Sequence, residues 1–432
     1  MLLIYTHKIT KRFTYTMNQV LGRILGLEVG FTTKVEDFIK HKEPKITYTK
    51  QPLQNELFIR SNDLLFEQGI NDIEIKVQDW EGVPCFFESG EKSGLPFDIF
   101  SASFYLLSRY EEYLPHVKDS LGRFPPETSI AFQHQFLDKP VVDIWAFRFL
   151  AVLKEKFPEL ENKQRIYAFT SIINVTTSHI YAMRGLGRSI GGMVKDLSKF
   201  QLRRLGKRMA VWINPKKDPY DNFDRLMEIH KEVKGIKTMF FFQFAEYSEH
   251  DKNISIHRSK FRYLIKSVAD YSVVSLSASM AAGAELKVLK EEKARLSQLI
   301  HRPIKYARMR YNRVLVPHTY RELIEAEFTD DFSMGYTHHL GFRAGTCTPF
   351  HFYDINLEVQ QPIKVHPFAV SDYALRKYKK QDEVIQRLDQ MYQQVKQVRG
   401  NFTVVFSNEL FGERQRVPWL RLYQNILKRY YV

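Results

Sequence analysis

Amide and hydroxyl side chains stand at the ends of three strand-like runs in the second half of this sequence. Asn174 and Thr176 follow the first run, Ser277 follows the second and Ser407 follows the third. Such groups exchange hydrogen bonds, but an amide cannot serve as a carboxylate base, and hydroxyls without anionic neighbours bind divalent metals poorly. These positions therefore supply neither a carboxylate base nor strong ligands for a divalent metal.

The elements that position these residues alternate between strands and helices. Such alternation is typical of an α/β fold with parallel strands, in which residues just after each strand line the site. This rule selects Asn174 and the loops 275–279 and 407–410. The predicted strands are Ile166–Ile173, Thr238–Phe244, Ser272–Leu276 and Phe402–Phe406, and the predicted helices are Tyr220–Lys234, Phe261–Ala269, Ala284–Ile300, Thr319–Ala326 and Glu383–Val398.

The first 160 residues have a different pattern, with short strand-like runs and three helices. The helices are predicted over Thr10–Leu27, Phe97–Leu114 and Val141–Phe157, where apolar residues recur at helical spacing. The segment Pro158–Arg165 is charged and has no periodicity, which is typical of a domain boundary. We therefore expect an α+β domain over residues 1–160 and a second domain over residues 161–432.

The composition excludes several classes of protein. Hydrophobic residues make up 44% and aromatic residues 14% of 432 residues, so a large core is expected and disorder is not. The two cysteines are far apart in the sequence, which disfavours a disulfide scaffold. The first apolar run, Met1–Tyr5, is too short for a signal peptide, and no run approaches the roughly 20 apolar residues of a membrane span. We expect a cytoplasmic protein.

The positive charge is concentrated in one segment. The chain carries a net charge of +15, and Arg184–Lys217 contains ten lysines and arginines against one acid, Asp196. This segment could bind nucleic acid, phosphorylated sugars, anionic lipid or a protein partner. The alternative is an ordinary solvated helix, because the charges of QLRRLGKRM lie between apolar positions. No zinc-finger spacing or RNA-recognition aromatic motif accompanies the charge, so nucleic acid is disfavoured.

Several longer motifs resemble those of one enzyme family. They are LSRYEEYLP, GRFP and FLDKPVVDIW in the first half, and RSIGG, KDPYDNFD, SMGY and GFRAGTCTPFHFYD in the second. Residues 161–432 resemble a polysaccharide deacetylase domain (NodB-homology, carbohydrate esterase family 4-like) of the type found in Bacteroidetes. Residues 1–160 resemble the domain that precedes it in those proteins. The resemblance implies an α/β fold, a distorted (β/α) barrel preceded by a smaller α+β domain.

The resemblance also implies a reaction, the hydrolysis of an N-acetyl group on a sugar. In the family a divalent metal such as zinc is held by one aspartate and two histidines, a second aspartate acts as base, and a late histidine protonates the leaving amine. The matched positions here are Asn174, Thr176, Ser277, Arg310 and Ser407. With ligands, base and acid replaced, and an arginine near the place of the cation, the resemblance implies a degenerate catalytic set without a metal cofactor.

Other matched positions keep the family's residues. Arg343 and Asp372 match residues associated with the active-site rim and with orienting the base. Together with Arg308, Arg310 and Asn408 they are the predicted contacts for a glycan or another anionic ligand. We therefore predict a non-catalytic deacetylase-like protein that binds a glycan or acts as a scaffold. An active deacetylase with a shifted metal site, and anionic-ligand or nucleic-acid binding through the basic segment, are the alternatives.

Histidines and one cysteine near GFRAG offer two further interpretations. His338, His339, His351 and His366 could form a replacement metal site, but no acidic residue stands at ligand spacing from them, so hydrogen-bonding roles are favoured. Cys347 could be a nucleophile with a nearby histidine. The deacetylase family also has a cysteine at this position and uses no covalent catalysis, so we expect Cys347 to have a packing role.

Overall fold

The computed structural model describes residues 1–233, 235–412 and 418–431. The strands are β1 (Leu2–Tyr5), β2 (Val29–Thr32), β3 (Lys45–Thr49), β4 (Leu57–Arg60), β5 (Val77–Trp80), β6 (Val83–Phe86), β7 (Ala168–Val175), β8 (Lys237–Phe242), β9 (Val273–Ala278), β10 (Tyr306–Met309), β11 (Asp330–Asp331), β12 (Phe350–Asp354), β13 (Val359–Val365), β14 (Val370–Ser371) and β15 (Asn401–Ser407). The helices are α1 (Lys11–Met17), α2 (Val35–Lys40), α3 (Ile99–Leu107), α4 (Ile130–Gln133), α5 (Val141–Lys156), α6 (Leu186–Ser198), α7 (Leu202–Ile213), α8 (Phe223–Glu232), α9 (Ser259–Ala269), α10 (Leu286–Ile300), α11 (His318–Glu325), α12 (Asp372–Leu375), α13 (Gln381–Gln397), α14 (Asn408–Gly412) and α15 (Trp419–Tyr430).

The first part of the chain contains a small parallel sheet in the order β2-β1-β3-β4 and an antiparallel hairpin of β5 and β6. Helix α1 continues as a π-helix over Asn18–Ile24, and this segment and α3 both contact α5. The indole of Trp145 on α5 donates to the carbonyl of Pro84 at 3.1 Å, which fastens the hairpin to the helix. One cluster of buried apolar residues continues from here into the second half, so the boundary near residue 160 stays a prediction.

The second half is organised around a nine-stranded sheet in the order β12-β13-β11-β10-β9-β8-β7-β15-β14. All neighbouring strands are parallel except β12, which pairs with β13 in the antiparallel sense. The alternating pattern thus correctly predicted an α/β fold with parallel strands. The hydrogen-bonded ladder of the described strands does not close, because β12 and β14 remain edges, so the distorted barrel stays a proposal.

The sheet is nonetheless curled. A second cluster of buried side chains joins residues from β7, β8 and β15 with residues that follow β11 and β13. Residues from strands far apart in the sheet order can meet only if the sheet bends around them. The members of this inner cluster are Ile172, Met239, Phe241, Phe332, Phe368 and Val405.

Two predicted strands continue further than the sequence indicated. β7 extends to Val175 because its backbone stays paired with β15 as far as Asn174 and with β8 as far as Val175, so Asn174 lies within the strand. β9 extends to Ala278 because β10, which the sequence did not predict, pairs with it and places Ser277 opposite Arg308. The other strands and helices predicted in the second half each overlap an observed element.

One predicted helix is shorter, and one falls partly outside the description. The helix expected over Phe97–Leu114 ends at Leu107, because Arg109 adopts left-handed backbone angles with φ of 56° and the chain turns inward. Lys234, the last residue of the helix predicted from Tyr220, lies outside the described residues. Within the part of the chain that the structure describes, no helix has the length and apolar character needed to cross a membrane.

Candidate functional site

A hydroxyl and a carboxylate meet where β7 and β15 end. Thr176 directly follows β7, and its hydroxyl donates to Oε1 of Glu409 at 2.9 Å. Glu409 lies in the first turn of α14, one residue beyond Asn408. Burial raises the pKa of Glu409, and the Thr176 hydrogen bond and the charge of Arg310 oppose that rise. Thr176 is thus hydrogen-bonded to a carboxylate just beyond the end of the neighbouring strand.

A second carboxylate is held in the same way. The backbone N–H of Ser407 donates to Oδ2 of Asp372 at 3.1 Å, and the Ser407 hydroxyl donates to the same oxygen. Asp372 is 2% exposed, and its burial raises its pKa against the effects of Ser407 and Arg376. Asp372 therefore takes part in hydrogen bonds inside the protein, at the edge of the sheet where Thr176 and Glu409 also lie.

Asn174 lies between these pairs in the sheet. It is opposite Ser407 on β15 and Phe241 on β8. Its Oδ1 atom is buried, and no described residue donates a hydrogen bond to it. A buried acceptor of this kind costs about 1–3 kcal/mol unless something pairs with it. The Oδ1 atom of Asn408 is also buried without a described donor, so two acceptors at these strand ends are available for a further hydrogen bond.

Arg310 brings positive charge to the same edge. It directly follows β10, and its Nε atom lies 3.7 Å from Oδ1 of Asp251. Its guanidinium lies over the ring of Tyr311, 4.4 Å from the centroid. Because the charge of Arg310 lowers the pKa of both Glu409 and Tyr373, it acts on the Thr176–Glu409 pair. We call Asn174, Thr176, Ser407, Asp372, Glu409 and Arg310 the strand-end cluster.

A cleft lies beside the strand-end cluster. Its volume is about 240 Å³, and its walls include Asp119 and residues 123–127 of the first part of the chain and residues 335–339 of the second. Tyr311 lines it, and so does His338, whose ring packs edge-on against Tyr373 at 5.9 Å. Burial, followed by the charges of Arg123, His339 and Arg376, lowers the pKa of His338. The cleft thus has aromatic walls, and its two arginines, Arg123 and Arg343, are paired with Asp119 and Glu112.

Arg343, a predicted binding residue, is engaged in the interior. Its guanidinium donates to Glu112 in a two-pronged ion pair, Nε to Oε1 at 2.8 Å and Nη2 to Oε2 at 2.6 Å. Only 2% of the side chain is exposed, although the residue lines the cleft. This geometry favours a structural role, and the predicted binding role of Arg343 stays untested.

Arg308 and Asn408 also form hydrogen bonds within the protein. Arg308 donates to the carbonyl of Phe332 and to Oδ1 of Asn312 at 2.6 Å, and burial lowers its pKa to about 10. Asn408 donates from Nδ2 to the carbonyls of Thr177 and Tyr220 at 3.1 and 3.2 Å. These contacts support the loops of the site. Of the predicted binding residues, Arg310 is the one whose surroundings best suit a ligand.

Two acidic residues near the end of β9 escaped the sequence analysis. Asp251 accepts from the N–H of Met280 at 3.1 Å, and Glu292 of α10 accepts from the N–H of Ser279 at 3.1 Å. Burial, with a contribution from Asp251, raises the pKa of Glu292 to about 7. One pattern could have revealed Glu292: it occupies the buried face of α10 together with Leu289, Leu296 and Leu299.

The side chains of the strand-end cluster are poor ligands for a catalytic divalent metal. The matched positions offer an amide, hydroxyls and the guanidinium of Arg310, whose charge repels a cation. The nearby carboxylates, Glu409 and Asp372, each accept a hydrogen bond from a hydroxyl. In residues 1–233, 235–412 and 418–431, no three or more histidines, cysteines, aspartates or glutamates are arranged to hold a metal ion. That search includes His338, His339, His351 and His366.

Cys347 is expected to be unreactive in the folded protein. The thiol is buried, and burial followed by the charge of Asp143 raises its pKa well above the ordinary value. Because the thiolate is the nucleophile, alkylation by iodoacetamide at neutral pH should proceed only after denaturation. The measurement is mass spectrometry on a Cys85→Ser variant, which leaves Cys347 alone. Rapid alkylation of the native variant would support the nucleophile interpretation instead.

Comparison with known proteins gives one family match and several distant structural similarities. The model of a family of unknown function, DUF7033, matches residues 2–158. No curated protein matches the chain. A structure described as a polysaccharide deacetylase from Mycobacterium smegmatis is 12% identical, with a TM-score of 0.39, and the alignment covers 62% of this chain and 87% of that one. The Puue allantoinase is 14% identical, with a TM-score of 0.37, over 60% of this chain and 83% of that one.

Proposed function

We propose that this chain is a non-catalytic relative of the Bacteroidetes-type polysaccharide deacetylases that binds an anionic glycan at the strand-end cluster. The observation that carries the proposal is the set of side chains there. Thr176 stands where the family has an aspartate and Ser407 where it has a histidine, and their hydroxyls donate to Glu409 and Asp372. Arg310 stands beside them where the family has another histidine. Because each hydroxyl gives its proton to a carboxylate, Arg310 is the member of this set that can donate to an anion, and the family's base and acid are absent.

The ligand class follows from the charges and aromatic rings around the strand-end cluster. The guanidinium of Arg310 lies over Tyr311, and that of Arg376 lies over Tyr373 at 4.2 Å. Guanidinium groups bind carboxylates and phosphates, and aromatic faces pack against the apolar faces of sugar rings. The unpaired Oδ1 of Asn174 can accept a hydrogen bond from a sugar hydroxyl. A uronate-containing or phosphorylated glycan combines these features.

Removing the guanidinium of Arg310 should weaken glycan binding by about tenfold to a hundredfold, because a charged hydrogen bond contributes about 1.5–3 kcal/mol. The measurement is calorimetric titration of Arg310→Ala and of the unchanged protein with an oligogalacturonate. The matched control is Arg225→Ala, which removes an exposed arginine paired with Glu228. Its affinity should equal that of the unchanged protein, and both should prefer the uronate to a neutral N-acetylglucosamine oligomer.

Four results would overturn the proposal. Equal affinity of Arg310→Ala would remove Arg310 from the site. Stoichiometric zinc in the purified protein, together with acetate release from N-acetylated sugars, would establish the alternative of an active deacetylase with a shifted metal site. Affinity for nucleic acid that falls steeply with salt, without glycan binding, would establish the third interpretation. Absence of any glycan affinity would indicate a scaffold role instead.

The proposed cytoplasmic location rests on Cys85 and Cys347, which are free and buried.

A further inference from the structure

Helices α6 and α7 form a hairpin between β7 and α8, and its outer surface is apolar. We call residues 186–213 the basic hairpin, leaving aside the side chains of Leu186 and Arg188, which lie outside the description. Large hydrophobic side chains are exposed along both helices and at their junction. They are Ile190, Val194, Leu197, Phe200, Leu202, Met209, Trp212 and Ile213.

The second helix of the hairpin is oriented the opposite way from a helix of an ordinary globular core. Leu202, Met209 and Trp212 recur at helical spacing on one face, and 64%, 51% and 59% of these side chains are exposed. Toward the protein the helix presents Val211, which is buried, and Arg208, which is half-buried. A helix that contributes to a core buries its apolar face and exposes its charges. This helix is therefore built to present its apolar face to something outside the chain.

Specific contacts hold the hairpin in this orientation. The guanidinium of Arg208 pairs with Asp196 of α6 at 3.0 Å and lies over the ring of Tyr181 at 4.9 Å. Gly192 makes room for it, because a Cβ atom at Gly192 would lie 2.4 Å from Nη1 of Arg208. The inward-facing arginine thus connects both helices to the loop after β7, and the outward apolar face is a fixed feature of the fold.

Positive charges border the apolar face. Asp196 is the one acidic residue from 186 to 217, and its carboxylate is paired with Arg208. The surrounding cations are exposed, apart from Lys207, which is half-buried. They are Lys195, Lys199, Arg203, Arg204, Lys207, Lys216 and Lys217.

A cavity lies at the base of the hairpin. Its volume is about 510 Å³, and it separates the hairpin from the beginning of α9. Met193 and Trp212 provide apolar walls, and Arg208, Arg258 and Lys260 provide cationic ones. The cavity therefore combines the two features of the hairpin surface and has room for a phosphate-bearing head group with part of an apolar chain.

We infer that the basic hairpin lies flat on an anionic lipid bilayer. Its apolar face enters the head-group region, its cations contact lipid phosphates, and the cavity accommodates a lipid head group. An amphipathic helix with lysine and arginine beside Trp and Leu is the typical interfacial anchor, and each cation near an anionic membrane adds to the attraction. A nucleic acid would satisfy the cations but leave Leu202 and Ile213 in water. The inference does not depend on glycan binding.

The test is flotation of the full chain with vesicles of phosphatidylcholine, with and without about one third phosphatidylglycerol. Binding should require the anionic lipid and fall as salt is raised. The double variant Trp212→Glu/Ile213→Glu should lose at least about tenfold in vesicle affinity, since it places charges in the apolar face. Arg203→Glu/Arg204→Glu should lose a similar factor by removing electrostatic attraction.

Matched controls distinguish binding by this surface from nonspecific binding to vesicles. Ile166→Glu alters an apolar residue that is 87% exposed elsewhere, and Lys287→Glu reverses an exposed charge on α10; both should bind vesicles normally. Circular dichroism checks that every variant is folded. The emission of Trp212 should shift to shorter wavelength on vesicles, and Trp212→Phe should abolish the shift. No flotation, equal binding by the hairpin variants, or binding of duplex DNA in place of vesicles would overturn the inference.

Discussion

Replacing Glu112 by alanine should lower the free energy of unfolding by about 3–5 kcal/mol, the usual result of removing one partner from a buried ion pair. Glu112 accepts from Arg109 at 2.8 Å and from Arg343 at 2.6 and 2.8 Å. Burial opposes its ionisation, but the charges of Arg343 and Arg109 outweigh burial and hold its pKa below the ordinary value. Without Glu112, Arg343 is left as a buried and uncompensated cation.

Urea denaturation of the full chain measures this loss. Glu228→Ala is the matched control, because it removes a glutamate from an exposed pair with Arg225 and should change stability little. Glu112→Leu/Arg343→Leu removes both partners and should recover much of the loss, since no buried charge then stands alone. If the double variant is as unstable as Glu112→Ala, the uncompensated charge is not the cause.

The same ion pair shows a structural role of these motifs that the sequence analysis did not predict. LSRYEEYLP supplies Arg109 and Glu112, GFRAG supplies Arg343, and the pair joins residues 231 positions apart. Likewise Asp143 of FLDKPVVDIW accepts from the hydroxyl of Thr346 at 2.6 Å and from the N–H of Cys347 at 3.0 Å. The most specific motifs thus connect the two halves of the chain. A sequence does not reveal which distant charge an arginine meets, so the pairing of Arg343 with Glu112 was not predictable.

The parts of the fold that were predictable are those with local patterns. Helices with an apolar stripe, such as α13, and buried strands, such as β7 and β15, are recognisable within one segment. The strands that were missed include β11 and β14, which have two residues each. Such short strands exist only because a neighbouring strand pairs with them, and no local periodicity predicts that pairing.

The candidate site was predictable to a similar extent. The rule that strand ends line the site selected Asn174 and the loop that begins at Ser407, and the structure places both at the edge where Asp372 and Arg310 lie. The rule cannot select residues that reach this edge from helices and loops, and Glu292 is one of these. A carboxylate among the buried leucines of α10 departs from the apolar pattern of that helix face, and such departures often mark functional or strained sites.

The second prediction concerns this carboxylate. Glu292 has a pKa of about 7 in the folded protein against an ordinary value of 4.5, chiefly because it is buried. The folded state then binds the proton more tightly than the unfolded state, so stability falls as pH rises from about 4.5 to about 7 and stays low above that. Glu292→Gln keeps a neutral acceptor for the N–H of Ser279 and removes this loss. The variant should gain up to about 3 kcal/mol over the unchanged protein at about pH 8, and the gain should vanish near pH 4.5.

Urea denaturation of both proteins across this pH range gives the difference between their free energies of unfolding at each pH. Other titrating groups affect both proteins equally and cancel in that difference, and Asp331, whose pKa burial raises to about 6, is one of them. Glu291→Gln is the matched control on the same helix, because the Glu291 side chain is 44% exposed and pairs with Arg295 at 3.0 Å. Its stability should follow that of the unchanged protein at every pH. Parallel curves for Glu292→Gln would mean that Glu292 is ionised at neutral pH in the folded protein. The cost of burying that charge would then have to be offset by Arg295, the nearby cation that favours its ionised form.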